Sequence, residues 1–341
     1  LLGVLILALR PGDNKAQAPT CGWAAALCLS VIIGFLYPQA MVPVGAALIL
    51  FTGIVFLRQR KLPAYLVRYG AALILPLIPM AVYLVVVVST NPAMQIWNRQ
   101  NVTAAPNPLY FLLGFGLPLI VALPGIFRAV RRFEQDGDRF MLLWLLCIIA
   151  FVYLPTNIQR RFSVGIMIPI TYFAVRALQE FWYPRMKRRG KRLFTVAVFS
   201  ISVISPLIVL VLPVLPAARA PELASGVLLE ADYVDAFNWL ARRDGDGVVL
   251  AAPVVGAWIP GYTGLRVVYG HPYETLNAEA KKRQVEAWYA AGDSADCSQL
   301  LQENSVQYVL LGPQETRFGE GHCVESLRRI AQFGDVTLYG T

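Results

Sequence analysis

Apolar stretches of bilayer length recur through the first two thirds of the chain, at about 21–36, 40–57, 69–89, 108–127, 140–155, 163–181 and 193–215, after an apolar stub at 1–9. A membrane-crossing helix needs roughly 20 mostly apolar residues, so each long stretch predicts one crossing and the stub a partial one. Tyr37-Pro38-Gln39 joins the first two stretches, whose combined length is too great for a single span, so a helical hairpin is expected there. Pro213, Pro216 and Pro221 then end the pattern, and ordinary globular sequence follows. Ala231, Val234, Phe237 and Leu240 form a helical stripe within Glu230–Arg243, closed by Asp244-Gly245-Asp246-Gly247. Val248–Ala252, Arg266–Tyr269, Val306–Leu311 and Val336–Tyr339 read as strands and Asn277–Ala291 as a helix. Strands alternating with helices predict a small α/β domain with a largely parallel sheet.

The charges orient this arrangement. Basic residues gather in every second gap: Arg10 and Lys15; Arg58, Arg60, Lys61 and Arg68; Arg128, Arg131, Arg132 and Arg139; and the run from Arg185 to Arg192. The intervening loops, at 37–39, 90–107 and 156–162, hold only Arg99, Arg160 and Arg161. Cytoplasmic loops of membrane proteins carry the excess of Lys and Arg, so the basic gaps are placed inside and the others outside. The expected fold is therefore a polytopic α-helical membrane protein over 1–215, of about eight helices with the first partial, and an extracytoplasmic α/β domain over 216–341.

Composition agrees with two solvents. The chain is 57% hydrophobic and 15% charged, well below the quarter or so of a soluble domain. Residues 1–215 hold 20 Lys/Arg against 5 Asp/Glu, whereas 216–341 hold 10 against 16. The basic balance of +9 thus belongs to membrane loops and gives no support to nucleic-acid binding. The chain opens on Leu1 inside an apolar run with no cleavable leader pattern, from which an upstream portion is expected to be missing. Cys21, Cys28 and Cys147 lie in or beside apolar stretches as small hydrophobes. An extracytoplasmic location permits a disulfide between Cys297 and Cys323, although spacing alone does not decide it.

Candidate chemistry lies in the outer loops and the C-terminal domain. The loop Asn91–Asn101 is rich in amides and carries an indole, so Trp97, Asn98 and Gln100 suit a sugar or a lipid headgroup; an interfacial loop with a belt tryptophan is the plainer reading. Asn101-Val102-Thr103 also fits a glycosylation sequon, a triplet common by chance. Gln159-Arg160-Arg161 stands in an outer loop where basic residues are avoided, and adjacent guanidinium groups grip phosphate through bidentate hydrogen bonds. Headgroup binding or pairing with an acid of the soluble domain are the alternatives. Between Asp13 and Glu134 there is no carboxylate, which disfavours an ion-coupled transporter and leaves these loops without a general base or metal ligand. In the soluble part, the run Gly256–Thr275 follows a strand whose C-terminal edge is where α/β domains place ligands. Trp258, Tyr262, His271 and Glu274 there offer aromatic faces and hydrogen-bonding groups for a sugar, or simply pack a connection. Two ligands do not make a metal site, and Walker-type, dinucleotide and Cys-x-x-Cys motifs are absent, so no metal or cofactor is expected.

On these features the chain resembles the GT-C superfamily of integral-membrane glycosyltransferases, which take sugars from polyprenyl-phosphate donors. The features are short-looped helices, the Asn91–Pro108 outer loop with its amides and Trp, the Leu154-Pro155…Gln159-Arg160-Arg161-Phe162 loop, and a C-terminal α/β domain. The run from Val249 through Thr263-Gly264-Leu265-Arg266 to Glu274-Thr275 looks like the start of the soluble domain in the oligosaccharyltransferase-like branch. The resemblance implies transfer of a sugar from a polyprenyl-phosphate carrier to an extracytoplasmic acceptor, with membrane lipids as partners. The acid such enzymes carry in their first outer loop has no counterpart here, and Ala257-Trp258-Ile259 stands where that branch has Trp-Trp-Asp. A metal-independent transfer is thus expected, its catalytic acid lying upstream of Leu1. The alternative is a non-catalytic membrane subunit or scaffold whose exterior domain binds a protein partner.

Overall fold

The computed structural model describes residues 20–62, 64–133, 136–212, 214, 228–243, 246–291, 297–319 and 321–341. The apolar stub at 1–9, Pro213, Pro216, Pro221 and the expected boundary at 215/216 lie outside the described residues. The chain divides into two compact units, Leu1–Pro92 with Val102–Ser205, and Ala93–Asn101 with Pro206–Thr341.

Each long apolar stretch among the described residues is helical: α1 (Thr20–Leu36), α2 (Pro38–Gln59), α3 (Ala64–Ile74), α4 (Leu77–Thr90), α6 (Pro108–Arg132), α7 (Asp136–Val152), α8 (Met167–Ala177) and α9 (Arg188–Val211). Helix α5 (Pro92–Gln100) occupies the amide-rich loop. Among the described residues five helical runs are long and apolar enough to cross a membrane: Pro38–Gln59, Leu66–Thr90, Pro108–Arg132, Gln159–Arg185 and Arg188–Val211. Helix α7 opens on four charged or glycine positions, which leave its apolar part short of the length expected from 140–155. The fold is that of a polytopic helical membrane protein, with outward faces such as Val85, Leu113 and Phe199 left exposed.

Local sequence explains the helix ends and breaks. Tyr37, at φ −155° and ψ 70°, separates α1 from α2, which opens on Pro38. Asn107 caps α6, its side-chain oxygen accepting from the Leu109 N–H at 2.9 Å. Gly116 interrupts α6 with φ 50°, two residues ahead of Pro118, and so marks a kink. The most extensive helix pair is α6 with α8. Gly125 makes that approach possible, since a Cβ there would stand 2.5 Å from the Phe173 carbonyl oxygen and 3.5 Å from the Ala177 Cβ. Small residues at such contacts are how membrane helices gain van der Waals packing. Gly125→Leu is expected to cost about 2 kcal/mol by overpacking, with Gly125→Ala intermediate, read as melting temperature in detergent.

The second unit carries a five-stranded sheet in the order β2-β1-β3-β5-β4. Its strands are β1 (Val248–Leu250), β2 (Arg266–Val267), β3 (Val306–Leu311), β4 (Arg328–Phe333) and β5 (Val336–Gly340). Strands β2, β1 and β3 are parallel, whereas β5 runs antiparallel to both β3 and β4. The sheet is therefore mixed where a largely parallel one was expected. The difference is the hairpin β4–β5, turned at Gly334-Asp335 with Gly334 at φ 53°. Helix α10 (Ala231–Leu240) buries Tyr233, Ala236, Phe237 and Leu240; of the expected stripe Phe237 and Leu240 are buried, Val234 is half-buried and Ala231 is exposed. Short helices α11 (Pro253–Gly256) and α12 (Ile259–Thr263) link β1 to β2, and α13 (Ala278–Tyr289) and α14 (Ser298–Glu303) precede β3. Cys297 and Cys323 form a disulfide, with Cα atoms 5.4 Å apart.

Candidate functional site

The guanidinium pair sits in a 3-10 turn, Gln159–Ser163, of the first unit. Phe162 is buried in that turn and packs on Phe151 at 5.4 Å between ring centroids, which anchors its apolar side. Its backbone is stitched to the 102–107 segment: the Arg160 N–H donates to the Thr103 carbonyl at 3.0 Å and the Thr103 N–H to the Asn157 carbonyl at 2.7 Å. The Gln159 side chain completes the seam, its oxygen accepting from the Ala105 N–H at 3.1 Å and its amide donating to the Leu154 carbonyl at 2.8 Å. The side-chain oxygen and one of the two amide N–H groups are thus engaged by the backbone, so Gln159 positions the turn. Arg160 is exposed, Arg161 half-buried, and no carboxylate pairs with Arg160 among the described residues.

In the second unit, the C-terminal ends of β1 and β3 flank the crevice where open parallel sheets usually bind ligands, because the chain leaves β1 toward β2 on one side and β3 on the other. Here the crevice is filled from within. Glu315 is fully buried; one carboxylate oxygen accepts from the Ala252 N–H at 2.8 Å, the other from the Gly312 N–H at 3.0 Å and the Tyr233 hydroxyl at 2.5 Å. The Gln314 N–H in turn donates to the Tyr233 hydroxyl at 3.1 Å. Burial pushes the Glu315 carboxyl up to about 7, against the pull of its hydrogen-bond donors, and also raises the Tyr233 phenol. Nothing in the sequence around Glu315 marks it, since two of its three partners lie 63 and 82 positions away.

The open space lies instead beside the edge strand β2, a cleft of about 700 Å³. Its walls include Gly256, Arg266, His271, Glu274, Lys281 and Asn304. Gly256 is required there, because a Cβ would run into the Tyr269 carbonyl oxygen. The 270–277 segment that carries His271 and Glu274 is held in shape by two residues. Thr275 accepts through its hydroxyl from the Gly270 and His271 N–H groups at 3.2 and 3.0 Å. Gln100 of α5 donates to the Thr275 and Tyr273 carbonyls at 2.6 and 3.2 Å and accepts from the Asn277 N–H at 3.0 Å. The Trp97 indole donates to Glu274 at 2.9 Å.

The structure thus brings Trp97, Gln100, His271 and Glu274 together, although the two pairs are far apart in sequence. Asn98 lies half-buried on the same helix and does not line the cleft. Trp258, just ahead of α12, and Tyr262 on it stand 6.4 Å apart between ring centroids, and Tyr262 packs on Phe237 at 5.7 Å; neither lines the cleft, and the contact with Phe237 is the packed alternative for Tyr262. Asn101 is 3% exposed, so the Asn-Val-Thr triplet is no accessible sugar acceptor. Among the described residues no group of three or more His, Cys, Asp or Glu is placed to hold a metal ion.

No protein-family model and no curated protein matches this chain. The solved structures that match include the Archaeoglobus fulgidus oligosaccharyltransferase, crystallised with a tethered acceptor peptide containing the NVT sequon, which aligns with 96% of the chain at 11% identity and a TM-score of 0.44. The chain is similar to that enzyme in outline. It spans 53% of that protein's length, and at this similarity the comparison carries no weight for function.

Proposed function

We propose that this chain is a membrane glycosyltransferase component that moves a sugar from a polyprenyl-phosphate carrier to an acceptor held in the cleft of the second unit. The observation that carries the reading is Arg160: an exposed guanidinium on an anchored turn, with no carboxylate partner among the described residues, in a loop class where positive charge is otherwise avoided. In such a transfer an acceptor hydroxyl oxygen bonds to the sugar's anomeric carbon and loses its proton to solvent, while the bond from that carbon to the phosphate oxygen breaks and negative charge grows on the leaving phosphate. Arg160 and Arg161 would neutralise that charge, Gln159 would hold their turn, and neither step requires a metal. Trp97, Gln100, His271 and Glu274 would shape the acceptor cleft. The disulfide Cys297–Cys323 supports an extracytoplasmic place for the second unit, since such bonds persist in oxidising compartments, and it agrees with the alternation of basic loops.

Arg160→Ala combined with Arg161→Ala is expected to lower transfer from a radiolabelled polyprenyl-phosphate sugar by roughly 100-fold in proteoliposomes. The doubly Lys-substituted variant, which keeps the charge but not the fork, is expected to fall between. Near-normal transfer by the Ala variant at normal expression would overturn the phosphate role and leave the scaffold reading.

A further inference from the structure

The cleft beside β2 carries three hydrogen-bond donors whose own partners orient them without satisfying them. Arg266 donates from one guanidinium nitrogen to the Asp246 carbonyl at 2.8 Å, which spends one of its five N–H groups. Lys281 donates to the Asn304 side-chain oxygen, and the Asn304 amide is itself fixed on the Leu300 carbonyl at 2.8 Å. Asn304 is neutral, so it aims the ammonium without cancelling its charge, and two of the three ammonium protons remain. His271 accepts at Nδ1 from the Tyr273 N–H at 3.2 Å, which leaves the neutral ring's proton on Nε2 as a donor. Among the described residues neither Arg266 nor Lys281 is paired with a carboxylate. Among the described residues Glu274 is the one acid on the cleft wall, and the Trp97 indole already occupies one of its oxygens.

Two cations and a neutral donor around one acid describe a site for a ligand that is itself anionic and also rich in hydroxyl groups. A neutral sugar would leave both cations to be met by water alone, whereas an oxyanion meets both through charge-assisted hydrogen bonds. Glu274 then accepts from ligand hydroxyls and repels a ligand bearing anions on every face. Resting on the proposal that this cleft holds the acceptor, we infer that the acceptor is an acidic saccharide, with a carboxylate or phosphate group seated between Arg266 and Lys281.

The test is binding to the full chain in nanodiscs, using a glucuronate-containing tetrasaccharide, a phosphorylated maltotetraose and neutral maltotetraose. Acidic probes are expected to bind at least 10-fold more tightly than the neutral one, and their affinity to fall as salt rises, because the cleft is open to solvent. Arg266→Gln with Lys281→Gln, both partly or fully solvent-accessible positions, is expected to lose about 100-fold for the preferred acidic probe and to leave the neutral probe unchanged, near 10-fold per lost charge-assisted bond. Preference for glucuronate assigns the anion to a carboxylate, and preference for the phosphorylated probe to a phosphate; either supports the inference. Equal binding of acidic and neutral probes, or acidic binding that survives the double substitution, overturns the inference while sparing the acceptor cleft. Absence of binding by all three probes removes the acceptor cleft itself, and the inference with it.

Discussion

Glu315→Ala is expected to destabilise the second unit by about 3–5 kcal/mol, enough to abolish its cooperative unfolding transition in many domains of this size. The substitution strands the Ala252 and Gly312 N–H groups and the Tyr233 hydroxyl in a site with no solvent access. Each unsatisfied buried donor costs roughly 1–3 kcal/mol, and β1, β3 and α10 lose the group that ties them together. Glu315→Gln keeps the volume and one acceptor, so it is expected to fall between wild type and Ala in urea denaturation of the detergent-solubilised chain. The pH dependence gives an independent readout. The carboxyl titrates at about 7 in the fold against an ordinary value of 4.5. Between those values the folded state holds a proton that the unfolded state has released, so stability declines as pH rises through the window. The decline amounts to roughly 3 kcal/mol from pH 4.5 to above 7, and Glu315→Gln is expected to lack it. Tyr233 and Tyr289, the titratable groups against Glu315, are shifted upward from the ordinary phenol range and stay neutral throughout that window. A stability that rises from pH 5 to 7 in wild type and in the Gln variant alike would remove Glu315 as the cause.

In the first unit Asp138→Ala is expected to cost about 3–5 kcal/mol, the usual consequence of breaking a buried ion pair from one side. Asp138 is 6% exposed and lies in the opening turn of α7. It meets Arg128 of α6 at 2.9 Å, Arg176 of α8 at 3.5 Å and the Tyr172 hydroxyl at 2.8 Å. Glu180 pairs with both arginines, contacting Arg176 at 2.9 Å, so two cations and two anions close a neutral cluster. Three of the four charges also sit at the favourable pole of their helices, Asp138 at the start of α7 and the arginines toward the ends of α6 and α8. Removing Asp138 leaves Glu180, 36% exposed, as the counterion for two guanidinium groups. Asp138→Asn keeps the Tyr172 contact and is expected to lose less. Melting temperature in a mild detergent distinguishes the variants, and an unchanged value for Asp138→Ala would show that the cluster contributes nothing net.

These two clusters and the cleft mark where sequence reasoning stopped. Arg128, Arg176 and Glu180 are legible as charges near helix ends, but the quartet they form with Asp138 depends on α6, α7 and α8 converging. Strand β4 escaped notice because Arg328–Phe333 lacks a continuous apolar run and its exposure barely alternates; the Gly334-Asp335 turn was the one signal available. Within the C-terminal part, His271 and Glu274 were found from their position after a strand. Arg266 and Lys281 drew no attention as ligand groups, since an arginine in a short strand and a lysine on an amphipathic helix are ordinary surface residues.

By itself the sequence determined that the chain enters and leaves an apolar phase repeatedly, that its basic loops alternate, and that an α/β unit follows. Those properties are local, because a bilayer imposes length and hydropathy on each segment separately. Only the tertiary structure decided that Ala93–Asn101, read as an outer loop of the membrane part, belongs to the same compact unit as the α/β sheet. The reason is physical: Trp97 and Glu274 are 177 positions apart, and a hydrogen bond across that separation exists only once packing has closed the loop between them. The same holds for the carboxylate that fills the crevice between β1 and β3. No window of neighbouring residues announces a side chain two of whose three partners, Tyr233 and Ala252, come from distant elements.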